Sequence, residues 1–166
     1  MIPILESLAK VLEPWKDLYS GSTVLSVTLT FAHLGSMMVG GGLAIAADRT
    51  VLKAGKLTDP KPILAMADAV GDVHRPVVIA LVVSAISGTL QLAADLETFA
   101  VSKVMWVKLG LLLALAVNGF LMLRNEETVR RDQGSAKSFG ALRMRAVTSV
   151  VLWLAITLAG VGLMQG

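Results

Sequence analysis

Three polar residues sit inside long apolar runs, where hydrocarbon surroundings make them costly: His33, Lys108 and Asn118. An ionisable side chain at the centre of a membrane helix costs roughly 2.5–3.5 kcal/mol on insertion scales, so it needs a partner or a purpose. His33 has the widest chemical reach. A neutral imidazole ligates haem iron or copper, relays protons, or hydrogen-bonds to a hydroxyl or carbonyl across a bundle. Met37 follows one turn later on the same helical face. His plus Met is a soft Cu(I) donor pair, although Met is equally ordinary packing material. Lys108 either reaches the layer of His33 or snorkels back to the interface, and snorkelling is the simpler expectation. Asn118 is expected to hydrogen-bond between helices, a contribution of about 0.6 kcal/mol.

The other histidine, His74, precedes the second apolar run and reads as a solvated loop residue. On the predicted spans the two histidines differ by roughly 20 Å along the membrane normal, so they are not expected to bracket one iron. Asp48-Arg49 closes the first apolar run, where an ion pair would anchor the helix end. Gly40, Gly41 and Gly42, with Gly35 before them, would let another backbone approach closely. Trp106 and Trp153 would flank a planar cofactor or simply pack. No phosphate-binding glycine loop, no serine-histidine-aspartate set, no HExxH and no paired intramembrane carboxylates occur, which points away from a hydrolase or an ATP-driven machine. With no cysteine, disulfides, iron–sulfur clusters, covalent c-type haem and thiolate chemistry are excluded.

The elements that must position these residues are membrane helices. The chain is 55% hydrophobic and 16% charged, with a mean hydropathy of +0.72. A soluble domain is roughly 45–50% apolar and about 25% charged. The reading is an all-α, integral membrane four-helix bundle with an N-terminal amphipathic surface helix. Residues 1–20 form that helix: Ile4, Leu5, Leu8, Val11, Leu12 and Trp15 recur at helical spacing opposite Glu6, Lys10 and Glu13, and Pro14 limits or kinks it. It lies on the membrane surface or packs on a partner's loop. Residues 21–166 form the bundle, with spans at about 22–47, 76–94, 104–123 and 146–164. Asp48 to Arg75 reads as a polar segment holding a short helix from Ile63 to Val73, Pro76 as the first turn of span two, and Arg124 to Arg145 as a charged loop. Span three is expected to begin near Val104 or several residues earlier, near Phe99. No cleavable signal peptide is evident.

The formal charge of +3 does not point to nucleic acid, because the basic residues sit between the apolar runs. Loops one and three carry them, with Lys56, Arg75, Arg130 and Arg143 among them, while loop two carries Lys103. The positive-inside rule then places loops one and three in the cytoplasm and both termini outside.

In order along the chain stand His33-Leu34-Gly35, Val39-Gly40-Gly41, Asp48-Arg49, Ser87-Gly88-Thr89-Leu90, Trp106-Val107-Lys108-Leu109 with Asn118, and Ser149 with Trp153-Leu154 and Gly160. This ordered set, over roughly residues 24–163, resembles the CopD-like and HemJ-like small bacterial four-helix membrane proteins. The resemblance implies a bacterial inner membrane and a haem b or porphyrin contact at His33 and Lys108, the positions that match a first-span histidine and a third-span lysine. Three functions follow as expectations. The first is a cofactor-handling membrane protein that holds haem, porphyrin or another redox molecule between spans one and three, with Met37 beside His33. The second is an accessory subunit of a larger respiratory or photosynthetic complex, without chemistry of its own. The third is copper transport or resistance, with His33 as the metal ligand. An enzyme is the lesser expectation.

Overall fold

The computed structural model describes residues 3–54 and 57–163, with side chains described for residues 7–54 and 57–162. Expectations resting on the side chains of Ile4, Leu5 and Glu6, on Lys56 and on Met164 lie outside the described residues. Six helices make up the described chain: α1 (Pro3–Gly21), α2 (Thr23–Lys53), α3 (Pro60–Ala94), α4 (Leu96–Val101), α5 (Lys103–Arg131) and α6 (Ala136–Leu163). Four of them, α2, α3, α5 and α6, are long and apolar enough to cross a membrane. About 20 residues suffice for a ~30 Å hydrocarbon core, so each of the four extends beyond it. The protein is a multi-pass membrane helical bundle.

The extensions correct the sequence reading. The segment expected to be polar and mostly irregular is helical from Pro60 onward. Asp59 caps α3 by accepting from the Lys61 N–H at 3.1 Å, and Pro60 occupies the first turn. Pro76 lies inside this helix rather than at its start. It removes one donor, yet the buried positions Ile63, Ala67, Val70, Ala80, Ser84 and Ser87 keep helical spacing on both sides of it. The charged stretch Arg124 to Arg145 is likewise the end of α5 and the start of α6. Their connection turns at Gly134, whose φ of +77° suits glycine and whose N–H donates to the Val129 carbonyl at 2.8 Å. A Cβ on Gly134 would come within 2.8 Å of the Pro60 carbonyl oxygen, so the turn seats directly on the start of α3. Span three begins at Lys103, capped by Ser102 in extended conformation, and Phe99 belongs to the separate helix α4.

Around the bundle the helices run in the order α2, α3, α5, α6. The helices α2 and α3 form one closely packed antiparallel pair, and α5 and α6 form the other. The α2–α6 seam closes on Trp153, whose ring lies 3.0 Å from where a Cβ on Gly41 would stand. Gly40 admits Ala80 of α3 just as closely. Among the described residues a Cβ on Gly35 or Gly42 would meet nothing within 4 Å, so of the glycines expected at an interface Gly40 and Gly41 are the ones that serve one there. The α3–α5 seam is looser. It closes at the end carrying the charged turns, where Ile63, Ala67, Val70, Val129, Phe139 and Leu142 are buried in one apolar cluster. Toward the other end it opens into a crevice.

The amphipathic helix α1 lies across that other end. Its Trp15 indole donates to the Leu90 carbonyl of α3 at 2.9 Å. Leu8, Val11 and Leu18 remain exposed. Outside a membrane such a face is unfavourable, and in the headgroup layer it is what holds a surface helix down.

Candidate functional site

His33 reaches from α2 onto α3. Its Nδ1 lies 2.9 Å from the Ser84 carbonyl and 3.4 Å from each of the Ser84 and Ser87 hydroxyls. A carbonyl only accepts, so Nδ1 carries the hydrogen, and in the neutral ring Nε2 then keeps its lone pair. Gly88 makes this possible. A Cβ there would stand 2.9 Å from His33 Cε1 and 3.1 Å from Nδ1, so the glycine lets the ring approach α3 this closely. The Ser87 hydroxyl also donates to the Val83 carbonyl at 2.7 Å, which keeps its own oxygen close to the ring.

Beside the ring a cavity of about 320 Å³ opens between α3 and α5. Its walls include His33, Met37, Ser84, Gly88, Met105 and Lys108, and the rest is mainly leucine and alanine. Small-molecule sites run from roughly 300 to 1,000 Å³. The cavity therefore brings His33, Met37 and Lys108 together, three residues that the sequence placed on two separate spans. Met105 joins them from the opposite wall, and no spacing pattern pointed to it. The Lys108 ammonium lies 3.9 Å from the place of a Gly160 Cβ, and no ion pair engages it among the described residues. Val104 sits level with Gly162, so the Lys108 stem bends toward the α4 end while its amine stays at the cavity edge.

The crevice continues toward the charged turns as a second cavity of about 400 Å³, sharing Leu81, Ala85 and Ala116 with the first. His74 lines this part, so it is a half-buried crevice residue and not a solvated loop residue. About 10 residues of α3 separate it from Ser84, the level of His33, or ~15 Å along the axis. The two histidines thus belong to different ends of one crevice and do not face one iron.

Asp48 and Asn118 lie at the floor of the second cavity. Asp48 is only 2% exposed and accepts from the Ser149 hydroxyl of α6. Arg49 points out to the surface, and no ion pair joins the two, because consecutive helical residues face about 100° apart. Asn118 Nδ2 donates to the Arg145 carbonyl at 3.2 Å. Sequence reasoning missed Ser84 and the role of His74, and it noted Gly88 and Ser149 only as members of the ordered motif set, without a role for either. A Ser-Gly pair within a span was the available signal for the pocket that receives His33.

No family model, no curated protein and no solved structure matches the chain.

Proposed function

We propose that this membrane protein holds a flat, largely apolar redox cofactor of the haem or porphyrin class in the α3–α5 crevice, with His33 as its contact residue. One observation carries the reading. The His33 ring is oriented by a backbone carbonyl through Nδ1, and its Nε2 has no hydrogen-bond partner among the described residues. Histidines that serve metals are characteristically oriented in this way, with the second nitrogen tied to a carbonyl or carboxylate. The cradle fits such a group: Gly88 admits the ring, the cavity wall is mainly apolar with Ser84, Thr89, Gln91 and Lys108 as its polar points, and the crevice lengthens into a second cavity, giving a planar molecule room.

When bound, a haem supplies one-electron chemistry. The chain's own residues would do the rest. His33 Nε2 would hold the metal, Lys108 would pair with a carboxylate at the cofactor's edge, and the leucine and alanine walls would exclude water. Met37 and Met105 offer thioether contacts beside the same ring. The position of His33, Met37 and Lys108 around one cavity supports the resemblance to CopD-like and HemJ-like proteins only as a proposal about this chain.

Titration of haemin into the detergent-purified protein tests it. Saturable binding near one equivalent, with a shifted Soret band that is lost in His33→Ala, is the expected result. Unsaturable partitioning, equal in both proteins and in empty micelles, would refute it.

A second reading, an accessory subunit of a larger redox assembly, draws on α2. Its outward face carries Phe31 and Met38, both over 70% exposed, around Gly35 and Gly42, whose Cβ positions meet nothing within 4 Å among the described residues. Crosslinking from position 35 in native membranes distinguishes a neighbouring helix from lipid.

A further inference from the structure

Two polar side chains deep in the bundle take no part in holding a cofactor. Asp48 of α2 is 2% exposed and Asn118 of α5 is 3% exposed. Their helices are diagonal in the bundle, and α6 brings the two side chains together. Asn118 Nδ2 donates to the Arg145 carbonyl, and Asp48 accepts from the Ser149 hydroxyl. Arg145 and Ser149 are one turn apart. A helical carbonyl points at the residue four positions on, and the side chain at that position leans back toward it. The two bonds therefore end side by side, which sets the carboxyl group beside the amide.

The hydrogen-bonding roles then conflict. The Arg145 carbonyl only accepts, so the amide turns its nitrogen there and keeps Oδ1. Asp48 keeps Oδ2. Both oxygens are buried without a partner among the described residues, although buried polar atoms are nearly always hydrogen-bonded. An ionised carboxylate and an amide oxygen are two acceptors with no donor between them. Neither oxygen has surface open to the cavity, so a ligand there does not supply one. No cation balances the charge either. The charged or titratable groups around Asp48 are Arg49 of α2, which points to the surface, His74 of α3 and Arg145 of α6, and none of them forms an ion pair with it among the described residues. Helix α5 offers uncharged side chains at this level, Leu115 and Met122 beside Asn118. A single proton resolves the conflict. On Asp48 Oδ2 it removes the charge, turns that atom into a donor and gives Asn118 Oδ1 its bond.

We propose that Asp48 is a carboxylic acid at neutral pH, donating from Oδ2 to Asn118 Oδ1, so that one proton clasps α2 to α5 at the centre of the bundle. Loss of the proton sets a carboxylate against a carbonyl and opens the clasp. The clasp needs no ligand and does not rest on a cofactor at His33.

The first test uses the unaltered chain. Infrared spectra of the detergent-purified full chain at neutral pH are compared with and without ¹³C in the aspartate carboxyl groups. Every other aspartate is exposed, so a protonated-carboxyl band that moves with the label reports Asp48. Such a band, lost at strongly alkaline pH, is the expected result. Its absence at neutral pH shows an ionised Asp48 satisfied by buried water and overturns the proposal. Asp48→Asn should abolish the band, and Asn118→Leu, which removes the acceptor, should move it to higher frequency. An unmoved band in Asn118→Leu would refute the donation to Asn118. Melting curves test the clasp itself. The folded chain holds a proton that the unfolded chain releases, so stability falls as pH rises. Between neutral and alkaline pH the wild type should lose more melting temperature than Asp48→Asn, whose amide presents an N–H donor at either pH. Equal losses would refute a clasp made by a proton.

Discussion

Replacing Gly88 by alanine probes the His33 cradle at the cost of one methyl group. The added Cβ would stand 2.9 Å from His33 Cε1 and 3.1 Å from Nδ1. Carbon contacts settle at about 3.5–4.0 Å, so the ring must retreat by ~0.6–1.1 Å. The Nδ1 bond to the Ser84 carbonyl, 2.9 Å long, would then open beyond hydrogen-bonding range. Overpacking costs about 1–3 kcal/mol and the lost bond about 0.5–1.5 kcal/mol. A ligand held by an imidazole that has lost its orienting partner is typically weakened 10–100-fold. The chain has only two histidines, so ring ¹⁵N resonances can be assigned with one His33→Gln control. The wild type should show His33 protonated at Nδ1. Gly88→Ala should show mixed tautomers, a lower melting temperature and haemin binding weakened by at least about tenfold. Gly42→Ala is the control, because no described residue stands within 4 Å of its Cβ position and alanine favours a helix. A Gly88→Ala protein with the wild-type tautomer and melting temperature would refute the cradle.

The rest of the bundle is equally open to test. Leu142 is fully buried at the charged end, and Leu142→Ala should cost about 2–5 kcal/mol in thermal or denaturant unfolding, whereas Leu154→Ala, 59% exposed on a lipid-facing surface, should cost little. Arg130→Ala removes the guanidinium that lies 2.6 Å from Glu126 and 3.0 Å from Asp68, leaving a buried carboxylate at a cost of about 1.5–3 kcal/mol, with Glu126→Gln in the same background restoring part of it. A cysteine at position 96, between α3 and α5, should react with an impermeant maleimide in intact cells if the positive-inside rule sets the orientation, and labelling only after permeabilisation would reverse the topology.

The four spans were legible because runs of about 20 apolar residues match the thickness of a bilayer and exceed what a soluble core usually needs. The amphipathic α1 was legible from its spacing. The lengths of α3, α5 and α6 were not, since Pro76, Arg75 and the charges after Leu123 are the same signals that end helices in water. Here they mark only where the helices leave the hydrocarbon, and packing among Ile63, Val129 and Leu142 carries them on. His33 and Lys108 stood out as polar residues in apolar surroundings. The polar partners of His33 did not, because a backbone carbonyl has no sequence signature and Gly88 is one glycine among 15. Asp48 read as an end anchor because no spacing pattern signals that Ser149, about a hundred residues on, faces it.

The most direct test of a cofactor at His33 is the absorption spectrum of protein purified from its native membrane, oxidised and dithionite-reduced, beside His33→Ala. A Soret band that shifts on reduction and is absent from the variant is the predicted result. A featureless visible spectrum from well-folded native protein would contradict a haem at His33 and turn attention to whatever co-purifies.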